Sequence, residues 1–193
     1  KIYQQMKSPE NFILHQSDYK AKSVLPFQKI EPWNFSALIN FGYKDYREVV
    51  PPALVPKLVF RGFEKACHFE YKFDSKTELD LTFVLETDAN VLKWLRPAPN
   101  QFRMYWDNNS KKYEPDFVVE TNDAIYMVET KASNELNNDD VLQKTAAALT
   151  YCKNATEFTS QNGGKPWQYL LIPHTTVSKT VSFNFLIGNY RIV

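Results

Sequence analysis

Two short stretches decide the reading of this chain: Tyr113-Glu-Pro-Asp-Phe-Val-Val-Glu, ending at Glu120, and Ala124-Ile-Tyr-Met-Val-Glu-Thr-Lys, ending at Lys131. Both are rich in β-branched and aromatic residues. Thr121-Asn122-Asp123 between them is hairpin-turn chemistry, so the two are expected to pair as antiparallel strands. Side chains alternate along a strand, which puts Glu129 and Lys131 on one face. Asp116 precedes the turn by five residues and Glu129 follows it by six, so pairing brings their carboxylates close. Two converging carboxylates repel each other unless a cation neutralises them. Oxygen donors of this kind suit Mg²⁺ or Mn²⁺. A lysine beside such a cation can orient a water or stabilise charge developing on a phosphate, which is the equipment for hydrolysing a phosphodiester by metal-activated water. The plainer reading is a solvated strand end, because a Pro-Asp and a Glu-x-Lys recur by chance in many proteins. Context argues for chemistry: Phe117, Val118, Val119, Ile125, Met127 and Val128 mark largely buried strands, where unpaired charge is costly.

Working outward, Gln101-Phe-Arg-Met-Tyr-Trp is expected to be the strand that opens this three-strand run. Ahead of it, Asp74-Ser-Lys-Thr-Glu reads as a helix start: Asp74 or Ser75 can cap, and Glu78 falls in the first turn, where a carboxylate faces the positive end of the helix dipole. That helix is expected to run to about Thr87, and a second short one from Ala89 to Leu95. Strands are expected at Lys57-Leu-Val-Phe and at Cys67-His-Phe-Glu-Tyr-Lys-Phe. On the far side, Asn138 or Asp139 caps a helix over about 140–154. Asn162-Gly-Gly-Lys-Pro marks a loop, Trp167-Gln-Tyr-Leu-Leu-Ile-Pro a buried strand, and Val181 to Ile187 a further strand. The order from Asp74 is therefore helix, three strands, helix, strand, an α+β arrangement with a mixed central sheet flanked by helices.

Composition narrows the class. Of 193 residues, 44% are hydrophobic and 23% charged, enough apolar material for a packed core. A net charge of +1 argues against holding nucleic acid by bulk charge alone, while leaving room for a local basic groove. No apolar run has the length of a membrane helix, so no membrane partner is expected. Cys67 and Cys152 are far apart and outside any C-x-x-C pairing, and His15, His68 and His174 are dispersed; a thiolate or histidine zinc site is not expected, and a reducing cytoplasm is the expected compartment. Residues 1–57, with Pro26, Pro32, Pro51, Pro52 and Pro56 set among Phe27, Trp33, Phe35, Phe41 and Tyr43, read as an irregular N-terminal extension. Residues 58–193 form the ordered domain. The first residue, Lys1, suggests a piece of a longer chain. Gly163-Gly-Lys-Pro is no Walker A loop, since Pro166 stands where Ser or Thr belongs.

The residues also resemble a family. Asp116, Glu129 and Lys131, in the order helix, three strands, helix, strand, are similar to the PD-(D/E)xK nuclease superfamily, whose restriction-endonuclease-like core places the Asp and the Glu-x-Lys on adjacent strands. More specifically, Phe73-Asp-Ser-Lys-Thr-Glu, Val91-Leu-Lys-Trp-Leu-Arg-Pro, Tyr113-Glu-Pro-Asp-Phe-Val-Val-Glu-Thr and Trp167-Gln-Tyr-Leu-Leu-Ile-Pro-His look like the C-terminal endonuclease domain of type III restriction enzyme Res subunits. The resemblance covers about residues 58 to 175. It implies a Mg²⁺-dependent endonuclease acting on double-stranded DNA, with Mn²⁺ as a substitute. Asp116, Glu129 and the main-chain carbonyl of Thr130 would bind the metal, and Lys131 would position or help deprotonate the attacking water. Glu78 stands where many members carry an acidic residue that assists the metal site; as a residue it reads equally well as a helix-start carboxylate. The resemblance further implies a helicase motor ahead of the domain, ATP used only by that motor, and a partner methyltransferase subunit that reads the bases. Gln143 and Lys144 fall where polar residues often reach the site, although a solvated helix face is the first reading of each. His174 reads as a loop residue without a role, and Trp94 and Trp167 as core. Two other functions fit the same residues: a catalytically silent interaction module, and a nuclease acting on RNA.

Overall fold

The computed structural model describes residues 42–106 and 111–193; the aromatics between Phe27 and Phe41, and His15, lie outside these. The centre is a five-stranded mixed sheet of β4 (Val91–Leu95), β7 (Phe117–Thr121), β8 (Ile125–Lys131), β9 (Trp167–Pro173) and β10 (Arg191–Ile192), in the order β10-β9-β8-β7-β4. Strands β4, β7 and β8 form an antiparallel meander, while β9 joins β8 in parallel and β10 closes that edge antiparallel to β9. A parallel pair needs a long crossover, supplied by α2 (Asp139–Gln161). Helix α1 (Lys76–Thr87) precedes the meander, with the Ser75 hydroxyl accepting from the Glu78 N–H as the cap. The protein is thus α+β with a mixed sheet and flanking helices.

Strand alternation sends successive side chains into two separate cores. From β8 and β9, Tyr126, Val128, Leu170 and Ile172 join one cluster with α1 residues Leu79, Leu81, Val84 and Leu85. Met127, Tyr169 and Leu171 join the other with Val141, Ala148 and Cys152 of α2. Trp94 centres the first core, with ring centroids 4.9 Å from Tyr71, 5.1 Å from Phe63 and 5.9 Å from Phe117. A small sheet, β1 (Tyr43–Asp45), β2 (Val59–Arg61) and β3 (Glu70–Tyr71), packs here. Tyr46, Val50 and Val55 of residues 42–57 are buried in the same cluster, Val55 in a 3-10 turn at Pro52–Lys57.

Six expectations are corrected. Ala89 to Leu95 is not a helix: Asp88 turns the chain, its carboxylate accepting from the Asn90 N–H at 2.9 Å, and Val91–Leu95 becomes β4. Val91, Trp94 and Leu95 fit a helical spacing and a buried strand equally, and pairing with β7 settled the matter. Consequently the meander opens with β4 and not with Gln101–Trp106. The latter yields only β5 (Met104–Trp106), which pairs with β6 (Lys111–Tyr113) in a separate two-stranded ribbon. The expected strand from Tyr113 to Glu120 is accordingly split between β6 and β7 at Pro115, which has no N–H for a ladder. Val181 to Ile187 is helical: α3 (Phe183–Tyr190) is capped by Ser182, and Phe183, Leu186, Ile187 and Tyr190 recur at helical spacing toward the core. Finally, the strand expected from Cys67 to Phe73 is reduced to Glu70–Tyr71, and α2 runs to Gln161, seven residues beyond Asn154.

Candidate active site

The β7–β8 register fixes the first two carboxylates. Phe117 faces Val128, and both enter the α1-side core; the next pair outward is Asp116 with Glu129, on the opposite face. Asp116 lies just before β7, where Pro115 has ended the ladder, and its Oδ2 accepts from both the Thr130 N–H and the Thr130 hydroxyl, each at 2.8 Å. Its other oxygen, Oδ1, accepts no hydrogen bond from the described residues. Glu129 is buried, at 5% exposure, and engaged at both oxygens: Lys131 Nζ lies 2.9 Å from Oε1, and the Tyr113 hydroxyl donates to Oε2 at 3.0 Å. Asp116, Glu129 and Lys131 therefore converge at one end of the β7–β8 pair, as their spacing suggested.

Glu78 reaches the same neighbourhood from the first turn of α1. It is buried, and Arg96, just past β4, binds its Oε2 through Nη2 at 2.9 Å and Nε at 3.3 Å while reaching Asp74 at 2.7 Å. The Asp74 N–H also donates to Glu78, at 3.0 Å. A carboxylate at a helix start would ordinarily face solvent; burial under an arginine makes Glu78 part of an enclosed acidic group.

Protonation follows from this crowding. Burial, reinforced by the charge of Glu129, pushes Asp116 up to about 6, against the opposing Thr130 hydrogen bonds and Arg96. Burial also raises Glu129, opposed mainly by Lys131. Glu78 is raised by burial and by Asp116, with Arg96 pulling the other way. Burial alone would lower the Lys131 ammonium, but Glu129 and Asp116 outweigh it and the net direction is up. Tyr113, buried beside Glu129, is raised far above the ordinary phenol range and remains a donor.

Among the described residues, no group of three or more His, Cys, Asp or Glu side chains could hold a metal ion. The donors that the resemblance assigns to a metal here are the two carboxylates, which the structure brings together, and the main-chain carbonyl of Thr130. Their chemistry suits a hard divalent cation: they supply oxygen only, Asp116 Oδ1 accepts nothing from the described residues, burial raises both acids, and the Glu129 charge that adds to the rise of Asp116 is one a cation would offset.

Two other residues singled out earlier, Lys144 and His174, fall nearby. Lys144 on α2 is paired with Asp140 at 2.6 Å and its charge reaches Glu129. His174 follows Pro173, the register partner of Lys131, and opens a 3-10 turn at the same end of the sheet. Trp94 is core, at 1% exposure, and Trp167 is partly buried against Phe102 and Tyr151. Reading the chain missed Arg96 and Tyr113. The apolar run ending at Arg96 was a signal for the first, since an arginine there needs a carboxylate partner; Tyr113 carried none, because its partner lies 16 residues away. A cavity of about 390 Å³ between α2 and the β9–β10 edge, lined by Leu149, Cys152, Trp167 and Arg191 among others, does not include the acidic residues. No helix among the described residues is long and apolar enough to cross a membrane. No protein-family model matches the chain, and no curated protein matches it.

Proposed function

We propose that the chain is a Mg²⁺-dependent DNA endonuclease domain with a restriction-endonuclease-like core, of the kind found in type III restriction enzymes. The observation that carries this reading is the convergence of Asp116, Glu129 and Lys131 at the end of one antiparallel strand pair, with a buried acidic helix residue, Glu78, beside them. The element order supports it: α1, the meander, α2 and β9 follow the sequence of that core, with the β5–β6 ribbon inserted between the first and second meander strands.

In this reading Asp116, Glu129 and the Thr130 carbonyl hold the metal. When bound, the ion supplies Lewis acidity and lowers the pKa of a coordinated water. Thr130 fixes the Asp116 carboxylate through its N–H and hydroxyl. Lys131, carrying its charge, orients the attacking water and stabilises negative charge developing on the phosphate. Glu78 enlarges the negative field around Asp116, and Arg96 opposes the rise of both carboxyls. ATP, a helicase motor and a methyltransferase subunit that reads the bases belong to the complex in which such a domain works, and the cytoplasm is the compartment.

Nicking of supercoiled plasmid in Mg²⁺ or Mn²⁺ tests this, with Asp116→Ala, Glu129→Ala and Lys131→Ala prepared identically. Metal-dependent nicking by the parent and none by the three variants is expected. Equal cleavage by all four would end the reading. A folded parent that binds no divalent cation and cuts nothing would favour a silent interaction module, and preferential cutting of an RNA duplex would reassign the substrate.

A further inference from the structure

Among the described residues Glu129 has a partner at each of its two oxygens, and one of those partners, Lys131, belongs to the Glu-x-Lys pattern. The other, Tyr113, comes from β6 of the ribbon, outside the five-stranded sheet. It is 3% exposed, and its hydroxyl lies 3.0 Å from Glu129 Oε2 and 3.5 Å from the hydroxyl of Tyr169. Tyr169 is the register partner of Met127, one step along the same face of β8 from Glu129. The phenol pair is therefore set between the α2-side core and the carboxylate. Packing alone does not require this hydroxyl: a phenylalanine would fill the same place, and a buried hydroxyl is costly unless it is bonded.

We infer that Tyr113 is a positioning residue for Glu129, on the basis of the endonuclease reading above. By donating to Oε2, while Lys131 holds Oε1, it fixes the carboxylate's rotamer before any cation arrives. Groups that hold a ligand's orientation in this way contribute to affinity by preorganisation. Tyr113 does not touch the reacting atoms; it acts through Glu129. The ribbon thereby becomes part of the site: Met104, paired with Tyr113, is buried in the same core, while Tyr105 and Lys112 face outward.

The test is Mn²⁺ binding to the full chain without DNA, read by loss of the free-ion electron paramagnetic resonance signal. Tyr113→Phe removes one oxygen and keeps the ring. It is expected to weaken Mn²⁺ binding by roughly 10–100-fold, with a melting temperature in chelator close to that of the parent. The Mg²⁺ half-saturation for nicking should rise by a similar factor, with a smaller change in rate at saturating Mg²⁺. Tyr169→Phe, which leaves the Glu129 contact in place, should bind Mn²⁺ much as the parent does. Parent-like Mn²⁺ binding by Tyr113→Phe would overturn the role of Tyr113 and leave the nuclease reading standing. Absence of Mn²⁺ binding by the parent would overturn both. Weakened binding by Tyr113→Phe in a parent that cuts no nucleic acid would sustain the positioning role while counting against the nuclease.

Discussion

Replacing Asp116 by asparagine should make the metal-free protein more stable at pH 8 while removing its activity. The carboxylate is crowded by burial and by Glu129, which lifts it from the ordinary 3.8 to about 6. Its value in the folded protein thus lies above its unfolded one, so the fold holds this proton more tightly than the unfolded chain does. The stability linked to that proton is fully present below about pH 4 and is lost as the pH rises through about 6. At about 1.4 kcal/mol per pH unit, the rise corresponds to roughly 3 kcal/mol. Relaxation around the site, and the Glu129 charge that remains, reduce the expected gain to about 1–2 kcal/mol. Asparagine is nearly isosteric, and its carbonyl oxygen can still accept from the Thr130 N–H and hydroxyl, so the geometry should survive. For a chain of this size each kcal/mol moves the melting temperature by about 2–4 °C. Thermal and urea unfolding in chelator at pH 4 and pH 8 would measure it. The variant should gain on the parent only at the higher pH, and added Mg²⁺ should stabilise the parent but not the variant. An Asp116→Asn protein less stable than the parent at pH 8 in chelator would refute the reasoning, because the carboxylate would then be a net stabiliser.

Two further predictions concern the scaffold. Arg96→Met strands Glu78 as a buried charge without its partner and should cost about 3–5 kcal/mol; adding Glu78→Gln should recover much of that loss, and equal destabilisation of the single and double variants by urea would contradict the pairing. Trp94→Ala removes the ring at the centre of the α1-side core, together with the 2.7 Å bond from its Nε1 to Glu86, and should cost about 3–5 kcal/mol; a melting temperature shifted by no more than a degree or two would show that the aromatic cluster does not carry the core.

Much of the fold was legible because much of it is local. Ser75 before Lys-Thr-Glu and Asn138 before Asp-Asp announce helix starts through side-chain oxygens that cap the next turn, and both caps are present in the structure. Apolar alternation and the Thr121-Asn-Asp turn announced the β7–β8 hairpin, and with it the meeting of Asp116, Glu129 and Lys131. The misread elements are short apolar runs. Val91-Leu-Lys-Trp-Leu satisfies both a helical and an extended pattern, and Val181 to Ile187 alternates well enough to mimic a strand. In the first case the backbone partners of β7 decided. In the second, the Ser182 cap and the burial of Phe183 and Leu186 against the sheet decided.

What the sequence by itself determined is therefore whatever depends on neighbours along the chain: helix caps, the hairpin and its register, the side-chain parity that aligns Glu129 with Lys131, and a composition that demands a buried core. The tertiary structure alone decided which strand opens the meander, that Arg96 covers Glu78, and that a tyrosine from an inserted ribbon grips Glu129. The physical reason is that a strand finds its hydrogen bonds, and a buried charge its partner, across space. Eighteen residues separate Arg96 from Glu78, and sixteen separate Tyr113 from Glu129. No local propensity encodes those distances; they are set when the two cores close on either side of the sheet.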